Sequence, residues 1–221
     1  MKSKTAIIIH LKENSQRVKS KNFLKIKSKP LYKIAFNKLL NEQKHFDVYV
    51  HSSSLFFQKE SKKFGFKFIK RPKKLDQPNA QGNELLEDCM KSINNKIIIQ
   101  FFVTNPFLKV ETLKKIISKI NSSEKINSVT AVYAIYNRAW YKSQPINHKF
   151  NKLIGTQYME PIYIESGVYC FKRSSFLKDK SRISKKNIFI TITGEESFDI
   201  DTKFDYSIAC LMVRNKPSLI D

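Results

Sequence analysis

Apolar and polar positions divide the chain into short apolar runs that alternate with amphipathic stretches. Thr5–His10 (TAIIIH) is apolar and β-branched almost throughout, the pattern of a parallel strand buried on both faces. Residues 11–29 are polar and cationic and read as a long loop. Pro30 suits a helix start, and Leu31, Ile34, Ala35, Leu39 and Leu40 then recur at helical spacing. Residues 46–51 (FDVYVH) predict a second strand, 55–64 a short helix, and 66–69 a third strand ending at Lys70-Arg71-Pro72. A helix is expected over 83–93, with Leu85, Leu86, Cys89 and Ile93 on one side. Residues 96–102 (KIIIQFF) form the most apolar strand and are expected at the centre of the sheet. The turn Val103-Thr104-Asn105-Pro106 ends it, and a helix over 110–120 and an alternating strand over 128–136 follow. This β-α-β-α order predicts an α/β fold with a doubly wound, mostly parallel sheet.

Periodicity fails from 137 to 163, a polar stretch holding Trp140 and Tyr141. It is too long for a plain connection and reads either as a subunit interface or as a loop packed on its own domain. Strands at 164–171 and 187–193 and a last helix over 203–213 complete the pattern. No domain boundary is visible, so 1–221 reads as a single domain.

Composition narrows the function classes. Apolar residues make up 41% of the 221 and aromatics 12%, which is globular. No apolar run approaches the roughly 20 residues of a membrane span. The opening MKSKTAIIIH lacks the longer apolar region and cleavage site of a signal peptide, so a cytoplasmic location is expected. The net charge of +22 raises the question of nucleic acid. The excess is mostly lysine and spreads over the whole chain, so it reads as solvated surface rather than a nucleic-acid stripe. Cys89, Cys170 and Cys210 form no Cys-x-x-Cys pair, and His10, His45, His51 and His148 show no ligand spacing; neither suggests a zinc site. His10 stands apart because it ends the first strand, where ligands bind in open α/β sheets.

Two segments carry candidate chemistry. Asp199 and Asp201 flank Ile200, and in an extended segment both carboxylates face the same way. Two hard oxygen donors on one face suit Mg²⁺, although Asp201 or Thr202 could equally cap the helix that follows. The loop after the first strand holds Lys12, Arg17, Lys19 and Lys21 beside Asn22. Cations there either neutralise phosphates or belong to a solvated lysine-rich loop.

Taken in order, these segments resemble the cytidylyltransferases that make CMP-activated acidic sugars, the acylneuraminate branch most of all. The stretch IIIHLKENSQRVKSKNFLKIKSKPLYKIAFNKLL is similar to the family's opening strand and signature loop. FDVYVHSSS, KRPKKL, VTNPFL, TQYMEPIYIESGVYCF and FDIDTKFDYSIA resemble, in turn, its second strand, Arg-Pro turn, turn after the central strand, sugar-side strand and Asp-Ile-Asp-Thr motif. Lys21-Asn22, where a Kdo enzyme usually has Lys-Pro, points to the acylneuraminate branch. The chain departs from the pattern at Glu13-Asn14 (a glycine pair), Lys12 (Arg), Gln16 (Lys), Ser53 (Asp), Phe102 (Gln) and Gly155 (Arg).

The resemblance implies a Rossmann-like nucleotide-diphospho-sugar transferase fold with a small dimerisation or sugar-site extension at 137–163. It implies CTP and an acidic nine-carbon sugar as substrates, Mg²⁺ as cofactor, a homodimer, and no membrane or nucleic-acid partner. Carried over by position, Arg17, Lys21 and Asp201 are catalytic. Lys12, Arg17, Lys21, Asn22, Arg71, Thr104 and Asn105 bind the nucleotide, Gln157 and Glu165 face the sugar, and Asp199 and Asp201 hold the metal.

Overall fold

The computed structural model describes residues 4–15 and 18–220. Seven strands form the main sheet: β1 (Thr5–His10), β2 (Asp47–Ser52), β3 (Lys67–Lys70), β4 (Ile97–Phe101), β5 (Ser128–Ile135), β6 (Ile162–Lys172) and β7 (Asn187–Thr191). Their spatial order is β7-β5-β6-β4-β1-β2-β3, so the apolar β4 is the central strand, as its composition predicts. All neighbouring pairs are parallel except those of β6, which runs antiparallel to both β4 and β5. The sheet is therefore mixed.

Helices cover both faces. Alternate residues of β1 separate into two layers: Ile7 and Ile9 join one cluster, Ala6 and Ile8 another. The first layer is roofed by α1 (Leu31–Leu40), α2 (Leu55–Lys63) and α4 (Val110–Asn121). The second lies under α3 (Gly82–Met90) and α5 (Arg173–Asp179), a helix that its polar sequence does not announce. Pro30 sits just before the first turn of α1 as its cap. A third cluster packs α6 (Lys203–Asn215), through Ala209 and Val213, against Leu31, Ile34, Phe107 and Ile200.

α6 starts where the sequence supplies reciprocal caps. Thr202 Oγ1 accepts from the Asp205 backbone N–H at 3.1 Å, while Asp205 Oδ2 accepts from the N–H groups of Thr202 at 2.7 Å and Asp201 at 3.0 Å. Burial opposes the Asp205 charge, but the hydrogen bonds from Thr202 outweigh it and hold the carboxyl below its ordinary range. A carboxylate with a depressed folded pKa stabilises the fold above its unfolded value of about 3.9, and that contribution is lost as pH falls through the lower folded value. Asp205→Ala is therefore expected to cost about 1 kcal/mol at neutral pH. Urea unfolding should show the gap from wild type closing below roughly pH 4. A gap that stays constant down to strongly acidic pH contradicts this role.

Residues 137–161 carry a small hairpin, Trp140–Tyr141 with Gln144–Pro145, and a turn at Thr156–Tyr158. Trp140 packs edge-on against Phe150, at 5.5 Å between ring centroids, yet Trp140, Tyr141, Phe150, Leu153 and Tyr158 are all largely exposed.

Candidate active site

The carboxyl ends of β1 to β4 open at one edge of the sheet, and backbone bonds lock them in step. Leu11 N–H donates to His51 O at 3.0 Å, and Arg71 N–H to Ser52 O at 2.9 Å. The Arg71 side chain is buried to 3% exposure, and its Nη2 donates to Leu11 O at 2.6 Å. The same Nη2 lies 2.7 Å from Asp76 Oδ1, an ion pair without hydrogen-bond alignment. Burial lowers the Arg71 pKa, and Asp76 partly offsets it. Asp76 also accepts from Ser53. Nη2 of Arg71 thus fastens the turn after β1 to the turn after β3, while its buried Nε has no hydrogen-bond partner among the described residues.

The loop after β1 is anchored at both ends. The Glu13 carboxylate accepts from Ser54, the residue that caps α2, and Asn22 Nδ2 donates to Lys12 O at 2.7 Å. A single 3₁₀ turn, Lys21–Phe23, follows; the Phe23 ring stacks on Phe57 with centroids 5.4 Å apart. Lys21, 8% exposed, then reaches across the site. Its Nζ donates to Ile200 O and to Asp201 Oδ1, each at 2.8 Å. This bond joins two segments 180 residues apart, the loop after β1 and the FDIDT segment.

The FDIDT segment is held by the turn after β4. Ile200 N–H donates to Thr104 O at 2.9 Å, and Asn105 Nδ2 to Phe198 O at 3.2 Å. Ile200 is fully buried, so the alternation places Asp199 and Asp201 on the opposite, accessible side; Asp199 is exposed and the Asp201 side chain 36% exposed. Two carboxylates flanking a buried residue on a braced segment are a donor set that fits Mg²⁺. Asn105 is only 1% exposed and spends its amide N–H on Phe198 O, so it braces the turn after β4 against the FDIDT segment. Thr104 is half-buried at the rim.

In β6, Glu165 accepts from Tyr169 Oη at 2.7 Å. The Arg182 guanidinium carbon lies 3.7 Å from the centroid of the Tyr169 ring, and Arg182 Nη1 donates to Gln100 Oε1 at 2.8 Å. Arg182 has no sequence signature that would have singled it out. Gln157 is exposed in the turn Thr156–Tyr158, and among the described residues it makes no hydrogen bond to the other site residues. Arg17 lies outside the described residues.

A second group converges beneath these strand ends. Register pairs His10 with His51, and their Nδ1 atoms are 2.9 Å apart. Cys89 of α3 joins them, with one potential ligand atom from each residue lying within 4.8 Å of the others. Spacing along the chain gave no hint of this group, because its members come from β1, β2 and α3.

A profile of the family described as cytidylyltransferase matches residues 6–210. The chain belongs to the cytidylyltransferase family. That family's reaction class is transfer of a cytidylyl group from CTP. No curated protein sequence gives a significant match. Among solved structures the fold is similar to a CMP:2-keto-3-deoxy-manno-octonic acid synthetase complexed with CTP, at TM-score 0.72 and 17% identity, covering 96% of this chain and 100% of that one. It is also similar to a 4-diphosphocytidyl-2C-methyl-D-erythritol synthase from Anaerococcus prevotii, at TM-score 0.69 and 10% identity over 96% of this chain and 99% of that one. A cytidylyltransferase from Leptospira borgpetersenii aligns at TM-score 0.59 and 15% identity, covering 99% of this chain and 97% of that one. These likenesses agree with the α/β architecture expected from the sequence. Among the described residues no helix is long and apolar enough to cross a membrane.

Proposed function

We propose that the chain transfers CMP from CTP to the anomeric hydroxyl of an acidic nonulosonate sugar of the sialic-acid class. The observation that carries this reading is the bond from Lys21 to Asp201, which unites the cationic loop and the paired carboxylates at the mouth of the sheet. The sugar's anomeric oxygen forms a bond to the α-phosphorus, the bond to the β-phosphate oxygen breaks, and pyrophosphate leaves while the hydroxyl proton passes to solvent. Such transfer depends on alignment and on charge neutralisation at the phosphates. Lys12, Arg17 and Lys21 supply cations on the loop side. Asp199 and Asp201 would hold Mg²⁺, which supplies neutralisation of phosphate charge when bound. Asn22, by tying itself to Lys12 O, fixes the loop backbone that faces the nucleotide, a bond a proline there could not donate.

Glu165 and Gln157 are assigned to the sugar, and the aromatic arm at 137–163 to a second copy of the chain. Exposed Trp140, Tyr141, Phe150 and Leu153 support that assignment, since monomeric surfaces rarely leave such a cluster uncovered. A second reading, an eight-carbon 2-keto-3-deoxy sugar acid, is favoured by the similarity to the synthetase for that sugar.

Pyrophosphate release measured with each of the four nucleoside triphosphates against neuraminate-type acids and the octonic acid separates these readings. CTP with a nine-carbon acid is expected to turn over, on a particle of twice the chain's mass by light scattering. Turnover only with the eight-carbon acid selects the second reading, and release with no sugar acid overturns both.

A further inference from the structure

The geometry points to a buried transition-metal site of the zinc class formed by His10, His51 and Cys89. It is separate from the magnesium-type donors at Asp199 and Asp201. Its three ligands project from three elements, and two imidazoles with a thiol are the donor types that favour a borderline-soft divalent ion over magnesium.

The surroundings match what such a site needs. His51 Nε2 lies 3.2 Å from Asp88 Oδ2, leaving Nδ1 to face His10 and Cys89; a carboxylate on the far ring nitrogen is the usual brace of a ligating histidine. Burial holds both imidazoles neutral: His51 is lowered to about 4 and His10 well below its ordinary value. Their lone pairs need expel no proton from an imidazolium. Arg71 adds to that lowering and also favours the thiolate of Cys89, whose pKa burial raises. Asp76 and Asp88 balance the charge of the guanidinium.

Binding is stoichiometric in protons. The Cys89 S–H bond is replaced by a sulfur–metal bond, with one proton released to solvent. The proton shared between the two Nδ1 atoms moves to His10 Nε2, a buried atom with no partner among the described residues. A cleft of about 350 Å³ lined by Leu75, Ala80, Glu84, Asp88 and Lys91 borders the site at Asp88, the carboxylate that braces His51. The bound ion would pin α3 to the ends of β1 and β2, directly under Leu11, where the nucleotide loop begins.

The test uses the full chain, stripped with chelator and titrated with Zn²⁺ and with Co²⁺ against a chromophoric competitor. One equivalent is expected to bind more tightly than micromolar, with Mg²⁺ unable to compete. The cobalt form should show a thiolate-to-metal charge-transfer band that Cys89→Ala removes, and His51→Gln should weaken binding by roughly 100-fold or more. X-ray absorption on the zinc-loaded wild type needs no variant and should report two imidazole nitrogens and one sulfur. Absence of saturable one-to-one binding, a sulfur-free shell, or a charge-transfer band that survives Cys89→Ala overturns the site. None of these readouts depends on cytidylyl transfer, so failure here leaves the proposed reaction standing.

Discussion

Replacing Asp201 by asparagine is expected to reduce turnover by about 10²- to 10³-fold or more while the fold survives. The substitution is nearly isosteric and retains an oxygen that Lys21 Nζ can reach. It leaves Thr202 and Asp205 to cap α6, so the melting temperature should fall by no more than about 3 °C, equivalent to roughly 1 kcal/mol for a chain of this size. What is lost is one negative charge from the pair on the accessible side of Ile200. If that pair holds the metal that neutralises the phosphates, the loss acts mainly on the chemical step, and kcat should fall far more than the KM for CTP rises. Pyrophosphate release within a few-fold of wild type would remove Asp201 from the reaction. Loss of turnover with a collapsed melting temperature would mean the residue acts through the Lys21 bond alone.

The second large effect is expected at Gly167, which has no side chain at all. Its φ is +42°, in the left-handed region, at the irregularity in β6 between Glu165 and Tyr169. A Cβ there would lie 1.9 Å from Asn105 Oδ1 and 2.1 Å from its Cγ. Asn105 is 1% exposed and tied to Phe198 O, so it has nowhere to retreat. Gly167→Ala therefore combines backbone strain with a steric conflict. It should cost about 3 kcal/mol, or roughly 6–12 °C of melting temperature in a chain of this size. Displacing Asn105 also releases the FDIDT segment, so CTP affinity should fall in the molecules that still fold. Gly194→Ala is the control: its added Cβ would meet Tyr133 at 3.4 Å, ordinary contact, and should change stability by less than about 0.5 kcal/mol. A Gly167→Ala protein as stable as that control would show that the turn after β4 can reshape freely.

The strands and long helices were legible because each repeats a local rule. TAIIIH and KIIIQFF announce buried strands, and Leu31, Ile34, Ala35 and Leu39 announce a helix, whatever the rest of the chain does. The antiparallel course of β6 was not legible, since alternation is the same in either direction. α5 was missed because RSSFLKD buries only Ser175 and Phe176 and so offers no periodic face. At the site, Lys21 and Asp201 could be named from ordered motifs, and the structure brings them within 2.8 Å. Arg71 and Asn105 could be named as well, but not their duty as braces, which depends on which carbonyl each finds. His10, His51 and Cys89 were invisible together because their proximity is a product of sheet register and helix packing.

The place of β6 sets an order on folding. β1, β2, β3 and β4 pair among themselves within the first 101 residues, so a four-stranded half can close as soon as that length of chain is available. β5 has no partner in that half. It joins the sheet only through β6, which ends at Lys172, and β7 joins only through β5. Lys21 belongs to the early half and Asp201 to the late one, so the bond between them cannot form until the chain extends past residue 201. A nascent chain therefore carries its cationic loop without its carboxylates, even after β6 is complete, until the segment beyond β7 has been made.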